Sequence, residues 1–599
     1  MTNQEVTAKD GLLWSAGPTT VLRDTMKNQD IARILYEIAD LLELDGVAFK
    51  PRAYRRAAQT VDELPEPIEA VAERGELKEL PGVGEAIAKK IEQIVETGHL
   101  AYHDELKAKL PIDLAALTGV EGVGPKTARL LYQALGIRTL DDLERAARAE
   151  QLREVPGLGR KTEEKILRGI AEARRVEHRV SLWSGLSLAR GLCSRLEATG
   201  RFTRLEAAGS LRRGRETVGD LDLLAVSGDP EAASRAFVSL PDVEEVLARG
   251  EKKASVRIGG GLQVDLRLVP EESFGAALQY FTGSKEHNVA LRELAISRGW
   301  KLNEYGLFDE AGHAVAGRTE TEIYEALGLD WIPPELRENE GEIRAAERRE
   351  LPTLVAREDI RSDLHVHTNF SDGSGSIEEM VSAARARGLS YIAVTDHFRF
   401  AEVIGGLCVD DLRRERDEIE SVNERLKGFR ILCGVEANIG KAGALDVPGD
   451  LMGELDLVVA AVHSHFRLSR KESTDRLLRA IDTEGVDILA HPTGRKIGQR
   501  PAVDADWDRI FRRAAETGVA LEINANPERL DLQASLIREA IAAGARLTIG
   551  TDAHAPDHLD FLELGVLTAR RGWAAADQVL NTLAVDEFLA ALRRSRGGG

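Results

Sequence analysis

The chain has 599 residues, 43% of them hydrophobic and 30% charged, a globular composition for which roughly 100–200 residues per domain predicts three to five domains. No apolar run of about 18 residues is present to cross a membrane, and no basic stretch leads into an apolar core as in a secretory signal. Cys193, Cys408 and Cys433 stand apart without CxxC spacing, which fits a reducing cytoplasm and excludes a disulfide framework or thiolate zinc site. The net charge of −20 argues against a broadly basic, polyanion-binding surface. The first 180 residues are closer to neutral, with 27 basic and 31 acidic groups, so any contact with a polyanion has to be local and strongly salt-sensitive.

Residues 1–25 are polar and turn-rich, without amphipathic period, and are predicted to be a disordered extension; Met26 is then an alternative start. A helix follows in DIARILYEIADLLELDG, with Asp30 as its N-cap. Three similar units come next, LKELPGVGEAIAKKI, LTGVEGVGPKTARLL and LREVPGLGRKTEEKI. Each sets a glycine pair (Gly82/Gly84, Gly122/Gly124, Gly157/Gly159) before an amphipathic helix, the mark of a repeated supersecondary unit. Glycine turns at helix starts can aim successive backbone N–H groups at a phosphate oxygen and read no base. Lys89 and Lys90 stand side by side in the first unit. A lysine amine attacks a carbonyl only when deprotonated, and a neighbouring cation favours that state.

From about residue 181 the pattern turns to strands. Asp220 and Asp222 in DLDLLAV are two apart and share one strand face, and Asp265 in QVDLRLV can join them from a neighbouring strand. Three such carboxylates suit two Mg²⁺ ions and in-line phosphoryl transfer. Gly209 and Ser210 form a tight turn able to lie against a triphosphate, with Arg212 and Arg213 nearby. The charged segment 336–360 is predicted to be a helical linker. Beyond it, DLHVH, YIAVTDH, RILCGVE, LDLVVAAVHSH, VDILAHP, VALEINAN and RLTIGTDAH are apolar runs spaced like βα units. Six end in His, Asp or Glu, and the other in Glu522-Ile-Asn524. Parallel barrel strands bring their C-terminal ends to one face. The pattern therefore gathers His365, His367, Asp372, His397, Glu436, His463, His491, Asp552 and His554 as N/O ligands for a hydrolytic cluster of zinc or manganese. Asp396, His465 and His558 are read as supporting or surface residues.

Two resemblances sharpen this reading. About residues 26–335 resemble family X DNA polymerases of the beta type. The glycine units are similar to helix-hairpin-helix motifs, which hold DNA backbones without sequence preference. The stretch LPGVGEAIAKKI resembles the family's N-terminal domain, and the match implies Lys90 as a lyase Schiff-base residue and Lys50 and Tyr54 as DNA contacts. Ala86 departs from the family, which has a second phosphate-binding lysine there. YFTGSKEHN resembles the nucleotide-sugar segment, implying Tyr280 and Phe281 under the sugar, Gly283 for close backbone approach and Asn288 at the base edge. Arg179, Gly209, Ser210, Arg213 and Gly219 fall at further dNTP positions, and KLNEYGLF resembles the thumb.

Residues 361–599 resemble the PHP (polymerase and histidinol phosphatase) domain through HVHTNFSDG. The match implies a distorted (β/α)₇ barrel with up to three ions: one on His365, His367, Glu436 and Asp552, a second on Glu436, His463 and His491, a third on Asp372, His397 and His554. The expected fold is therefore multidomain. It comprises a helical lyase-like domain (26–105), helix-hairpin-helix fingers (106–180), an α/β nucleotidyltransferase palm (181–271), an α/β thumb (272–335), the linker (336–360) and the barrel (361–599). The implied protein is a cytoplasmic, nucleoid-associated gap-filling DNA polymerase with a 3′→5′ exonuclease. Its implied partners are DNA and dNTPs, with no membrane, and monomer is the default state. Implied ions are Mg²⁺ or Mn²⁺ in the palm and Zn²⁺ or Mn²⁺ in the barrel. Two alternatives stay open: a phosphoesterase of small phosphate esters with a DNA-tethering front half, and a non-catalytic repair scaffold.

Overall fold

The computed structural model describes residues 28–595 apart from 45–46, 48–49, 63–67, 110, 119, 121, 178, 260 and 399–405. The predicted extension 1–25 and Met26 lie outside them. Contacts divide the chain into two compact units, one of residues 1–118 with 124–143 and one of 119–123 with 144–599.

The first unit is helical. Asn28–Leu44, Lys50–Asp62, Glu85–Thr97 and Ala101–Lys109 are its longer N-terminal helices, with Ile31, Leu35, Ile38, Ala57, Ile91 and Ile94 buried among them. The first helix is already under way at Asn28, so Asp30 lies inside its first turn and is not the N-cap. The Asn28 side chain instead accepts the Ile68 N–H at 2.7 Å, tying two helix starts together.

The second unit carries the sheets. A five-stranded sheet comprises β1 (Arg204–Ala207), β2 (Asp220–Val226), β3 (Val243–Arg249), β4 (Lys253–Ile258) and β5 (Leu262–Leu268), in the order β1-β2-β5-β4-β3. Only the β2/β5 pair is parallel. A three-stranded antiparallel sheet over Lys301–Asn303, Gly306–Phe308 and Ala314–Ala316 follows.

Seven parallel strands then run in sequential order: β6 (Ser362–Val366), β7 (Tyr391–Val394), β8 (Arg430–Asn438), β9 (Leu457–Ala461), β10 (Ile488–Ala490), β11 (Ala520–Asn524) and β12 (Leu547–Gly550). A parallel bridge from Val366 to Ala553 brings the last strand's end back to the first, giving a nearly closed barrel. All but the first residue of β8 are buried along these strands, as parallel strands covered on both faces require.

The segment 336–360 is not a free linker. Arg337 is wholly buried and donates to Glu320 at 2.6 Å and to the Ile332 carbonyl at 2.9 Å. Glu342 reaches buried His287 at 2.6 Å, and Leu336, Ala346 and Leu354 enter the same core as Leu302, Leu307 and Ile323. Its charged residues find partners far away in sequence. The five-stranded sheet and the barrel also share apolar packing: Leu530 and Leu564 of the barrel region belong to the core built around β2 and β5.

Candidate active sites

Parallel pairing of β2 with β5 sets Asp222 directly beside Asp265, with Asp220 two residues before Asp222. The turn at Gly209 determines how closely a backbone approaches them. Gly209 has φ +63°, and a Cβ there would stand 2.4 Å from the Asp222 Oδ2, so only glycine fits. Burial, and then the charges of Asp220 and Asp265, push the Asp222 carboxyl up to about 7. Burial alone would raise Asp265 too, but the Lys253 ammonium at 2.7 Å and the Gln263 amide at 2.9 Å hold it below the usual carboxylate range. Like charges crowded this closely resist joint ionisation unless a cation joins them, which suits a divalent ion.

In the barrel, His365 and His367 are two apart on β6 and its end. The turn after them is tight: a Cβ on Gly373 would lie 2.8 Å from the His367 backbone, and this turn returns Asp372 to the bowl. Glu436 is central. Its Oε1 lies 3.0 Å from His463 Nε2 and 2.9 Å from His491 Nε2, and its Oε2 lies 2.9 Å from His397 Nδ1, 3.4 Å from His365 Nε2 and 3.6 Å from His367 Nε2. His367 Nε2 is also 3.3 Å from Asp552, and His554 Nε2 is 3.2 Å from Asp372.

Two ligand atoms at about 2.1 Å from one tetrahedral ion stand about 3.4 Å apart, close to these separations. Three sets have ligand atoms within 4.8 Å of one another and can each hold an ion: His367, Asp372, His397 and His554; His365, His367 and Asp552; and His397, Glu436 and His463. The expected grouping differs in detail, because His397 reaches Asp372 and Glu436 alike and His367 joins two sets. Chemistry favours ions here. His365 Nε2, both ring nitrogens of His367 and His491 Nδ1 are buried without a hydrogen-bond partner among the described residues. Burial would raise the Glu436 carboxyl, but His463, His397 and His365 hold it well below its usual range.

Over 574 residues the chain is 36% identical to the DNA polymerase/3′-5′ exonuclease PolX of Bacillus subtilis (strain 168), spanning 95% of this chain and 100% of that one. The chain belongs to the PolX family. Its parts match separate families as well: a helix-hairpin-helix domain at 26–100, a SAM-like helix-hairpin-helix tandem at 114–172, the DNA polymerase beta thumb at 277–338 and the PHP domain at 363–526. The DNA polymerase lambda of Rattus norvegicus is 27% identical over 356 residues, 54% of this chain and 59% of that one. A probable phosphatase of Caldanaerobacter subterraneus is 30% identical over 250 residues, 40% of this chain and 94% of that one.

Within this PolX-family chain several expected contacts are placed otherwise. Arg213 lies against Glu338 and the Thr282 carbonyl, and Arg212 grips Glu320 at 2.8 and 2.9 Å, so both guanidiniums brace the thumb. Asn288 is satisfied internally, accepting from Gln279 and donating to the Tyr280 carbonyl, each at 2.7 Å. Tyr280 and Phe281 meet edge to face at 5.2 Å, and Gly283 has φ +71° with Arg213 at its back. Arg179 donates to Thr217 at 2.8 Å beside Gly219, and Ser210 follows Gly209 in the short helix Gly209–Arg212.

Tyr54 is 6% exposed and stacks on Tyr102. It packs in the helical core, whereas Lys50 is exposed. Lys90 lies 4.8 Å over the Tyr102 ring and donates to the Ala86 carbonyl at 3.2 Å. Lys89, expected to press on Lys90, pairs with Glu85 at 3.2 Å.

The three hairpins share one backbone device. Gly82, Gly122 and Gly157 have φ of +84°, +94° and +91°, and Gly84 and Gly124 are N-caps without a side-chain cap bond. Gly159 immediately precedes the helix Arg160–Glu177.

Of the supporting residues, Asp396 is buried and accepts from Thr368 and Ser371, while His558 stacks on Phe561 and accepts the His554 N–H. His465 is exposed. Glu522 is not among the nine expected ligands. It accepts from His365 Nδ1 at 2.6 Å and from the His491 N–H at 2.7 Å, fixing one ring and one backbone of the bowl. Its place at a strand end, level with the ligands of neighbouring strands, was the available signal. No described helix is long and apolar enough to cross a membrane.

Proposed function

We propose that this chain is a DNA-directed DNA polymerase that fills short gaps during base-excision or break repair and trims 3′ ends with a 3′→5′ exonuclease in its barrel. In this reading 26–105 and 106–180 hold the DNA backbone through the hairpin amides, 181–271 add the nucleotide, 272–335 cover it, and 361–599 degrade. The observation that carries it is the in-register pairing of Asp222 with Asp265, with Asp220 beside them above the Gly209 turn.

The three acids would hold Mg²⁺ or Mn²⁺, and the bowl up to three Zn²⁺ or Mn²⁺. When bound, such ions supply the positive charge that eases deprotonation of the attacking oxygen and offsets charge building on the phosphate. The chain's own groups do the rest. Gly209, Ser210, Gly219 and Arg179 lie against the triphosphate, Tyr280, Phe281 and Gly283 form the sugar floor, and Asn288 turns to the base edge on exchanging its internal bonds. Arg213 would act by fixing the thumb. Lys90, half-buried in the helix Glu85–Thr97, is the residue for 5′-deoxyribose-phosphate removal. The protein would work on DNA in the cytoplasm, as a monomer.

The deciding experiment incubates the chain on gapped, 5′-phosphorylated DNA with Mn²⁺ or Mg²⁺, with and without dNTPs. Extension with dNTPs and 3′ shortening without them are expected. Asp222→Ala should abolish extension and His367→Ala should stop shortening; extension surviving in Asp222→Ala rules out this palm site. A second reading, hydrolysis of small phosphate esters by the barrel, is favoured by the likeness to the probable phosphatase. Faster turnover of mononucleotides than of primed DNA would select it.

A further inference from the structure

Arg529, outside the nine groups picked from sequence, reaches the floor of the same bowl. It lies in the loop after β11, in NANPERLD. Its Nε stands 3.5 Å from Asp552 Oδ2, and its charge bears on His463 and His491 as well as Asp552. Its Nη1 is buried and meets no hydrogen-bond partner among the described residues. Arginine has donors only, and a buried donor left unmet is costly.

Ions make the puzzle sharper. Divalent ions on Asp372, Glu436 and Asp552 would offset the carboxylate charge that now faces Arg529, Asp552 included. A guanidinium beside such ions is better matched by an anion placed between them.

The loop is held from the palm side. Leu530 is left-handed at φ +43° and packs into the palm core. Arg495 donates to the Arg529 carbonyl at 2.9 Å and to the Leu530 carbonyl, and it pairs with Glu216 of the palm at 2.7 Å. The Glu528 carbonyl accepts the Ile497 N–H at 2.7 Å.

We infer that Arg529 is a catalytic residue of the barrel site, its free Nη1 edge binding a non-bridging oxygen of the scissile phosphate, and that the palm positions it through Leu530 and the Arg495–Glu216 pair. The inference rests on the barrel being a phosphodiesterase site. In that reaction a water oxygen bonds to phosphorus and the bond from phosphorus to the preceding 3′-oxygen breaks. The water proton ends on the new 3′-hydroxyl, and a 5′-mononucleotide leaves. Arg529 keeps its protons throughout and offsets the charge that builds on the phosphate oxygens.

The test uses the full chain loaded with Mn²⁺ and inorganic phosphate as the probe. Arg529→Ala should keep the wild-type Mn²⁺ content and weaken phosphate binding by about tenfold to a hundredfold. It should also lower kcat for 3′ shortening by about a hundredfold. Glu216→Gln should weaken phosphate binding severalfold without loss of Mn²⁺. Should Arg529→Ala lose Mn²⁺, Arg529→Gln is judged on the same criteria. Loss of Mn²⁺ in both would make Arg529 a support of the ions and overturn the inference. Unchanged phosphate affinity with full Mn²⁺ content overturns it equally. A wild-type chain that degrades no DNA removes the nuclease reading alone, and the phosphate comparison still decides the anion site.

Discussion

At the scale of single residues, Asp222 links the palm's chemistry to acidity. Its carboxyl sits at about 7 in the fold against the ordinary 3.8, so ionising it opposes folding. That cost is absent below the unfolded value, grows as pH rises toward 7, and is complete above it. The ion-free protein should therefore lose on the order of 4 kcal/mol of stability across that window. In EDTA, Asp222→Asn should melt above the parent at pH 8, with the gap narrowing toward pH 5; thermal melts at several pH values measure it. The acids themselves were legible because strand alternation places residues two apart on one face. The nine barrel groups were legible because parallel strands end together. Glu522 and Arg529 were less so. One sits on a strand whose end lacks a histidine, with only its level among the neighbouring strand ends to mark it, and the other lies in a loop with no spacing that separates it from a surface charge. Arg212, Arg213 and Tyr54 kept their positions but met different neighbours, since a motif fixes where a side chain starts and packing decides what it touches.

Elements show a similar division. The three hairpins were visible as repeats because their glycines are required by backbone shape. At Gly157 a Cβ would meet nothing within 4 Å, yet φ is +91°, so conformation alone excludes other residues. Gly157→Ala should cost roughly 1–2 kcal/mol and weaken DNA binding without changing base preference, as a salt-titrated binding assay on several duplex sequences would register. Barrel strands were readable from unbroken apolar runs, which two covered faces demand. The stretch 336–360 was not, because its buried charges are matched by Glu320 and His287, residues that no local pattern connects to it.

Across the whole molecule, the palm and the barrel are joined by shared core. Leu564 is fully buried in the cluster built on the palm strands, and Trp183 packs edge-on against Phe561 at 5.2 Å. Leu564→Ala should remove roughly 2–5 kcal/mol and lower the temperature at which extension and 3′ shortening fail by similar amounts, as residual activities after graded heating would reveal. The placement of Leu530 and Leu564 also bears on where the chain can be cut. A gene split near position 360 would yield two orphan halves, one with an unroofed greasy hollow and the other with the leucines that used to plug it. Cut there, each half would show water a patch of apolar side chains that the intact chain keeps dry.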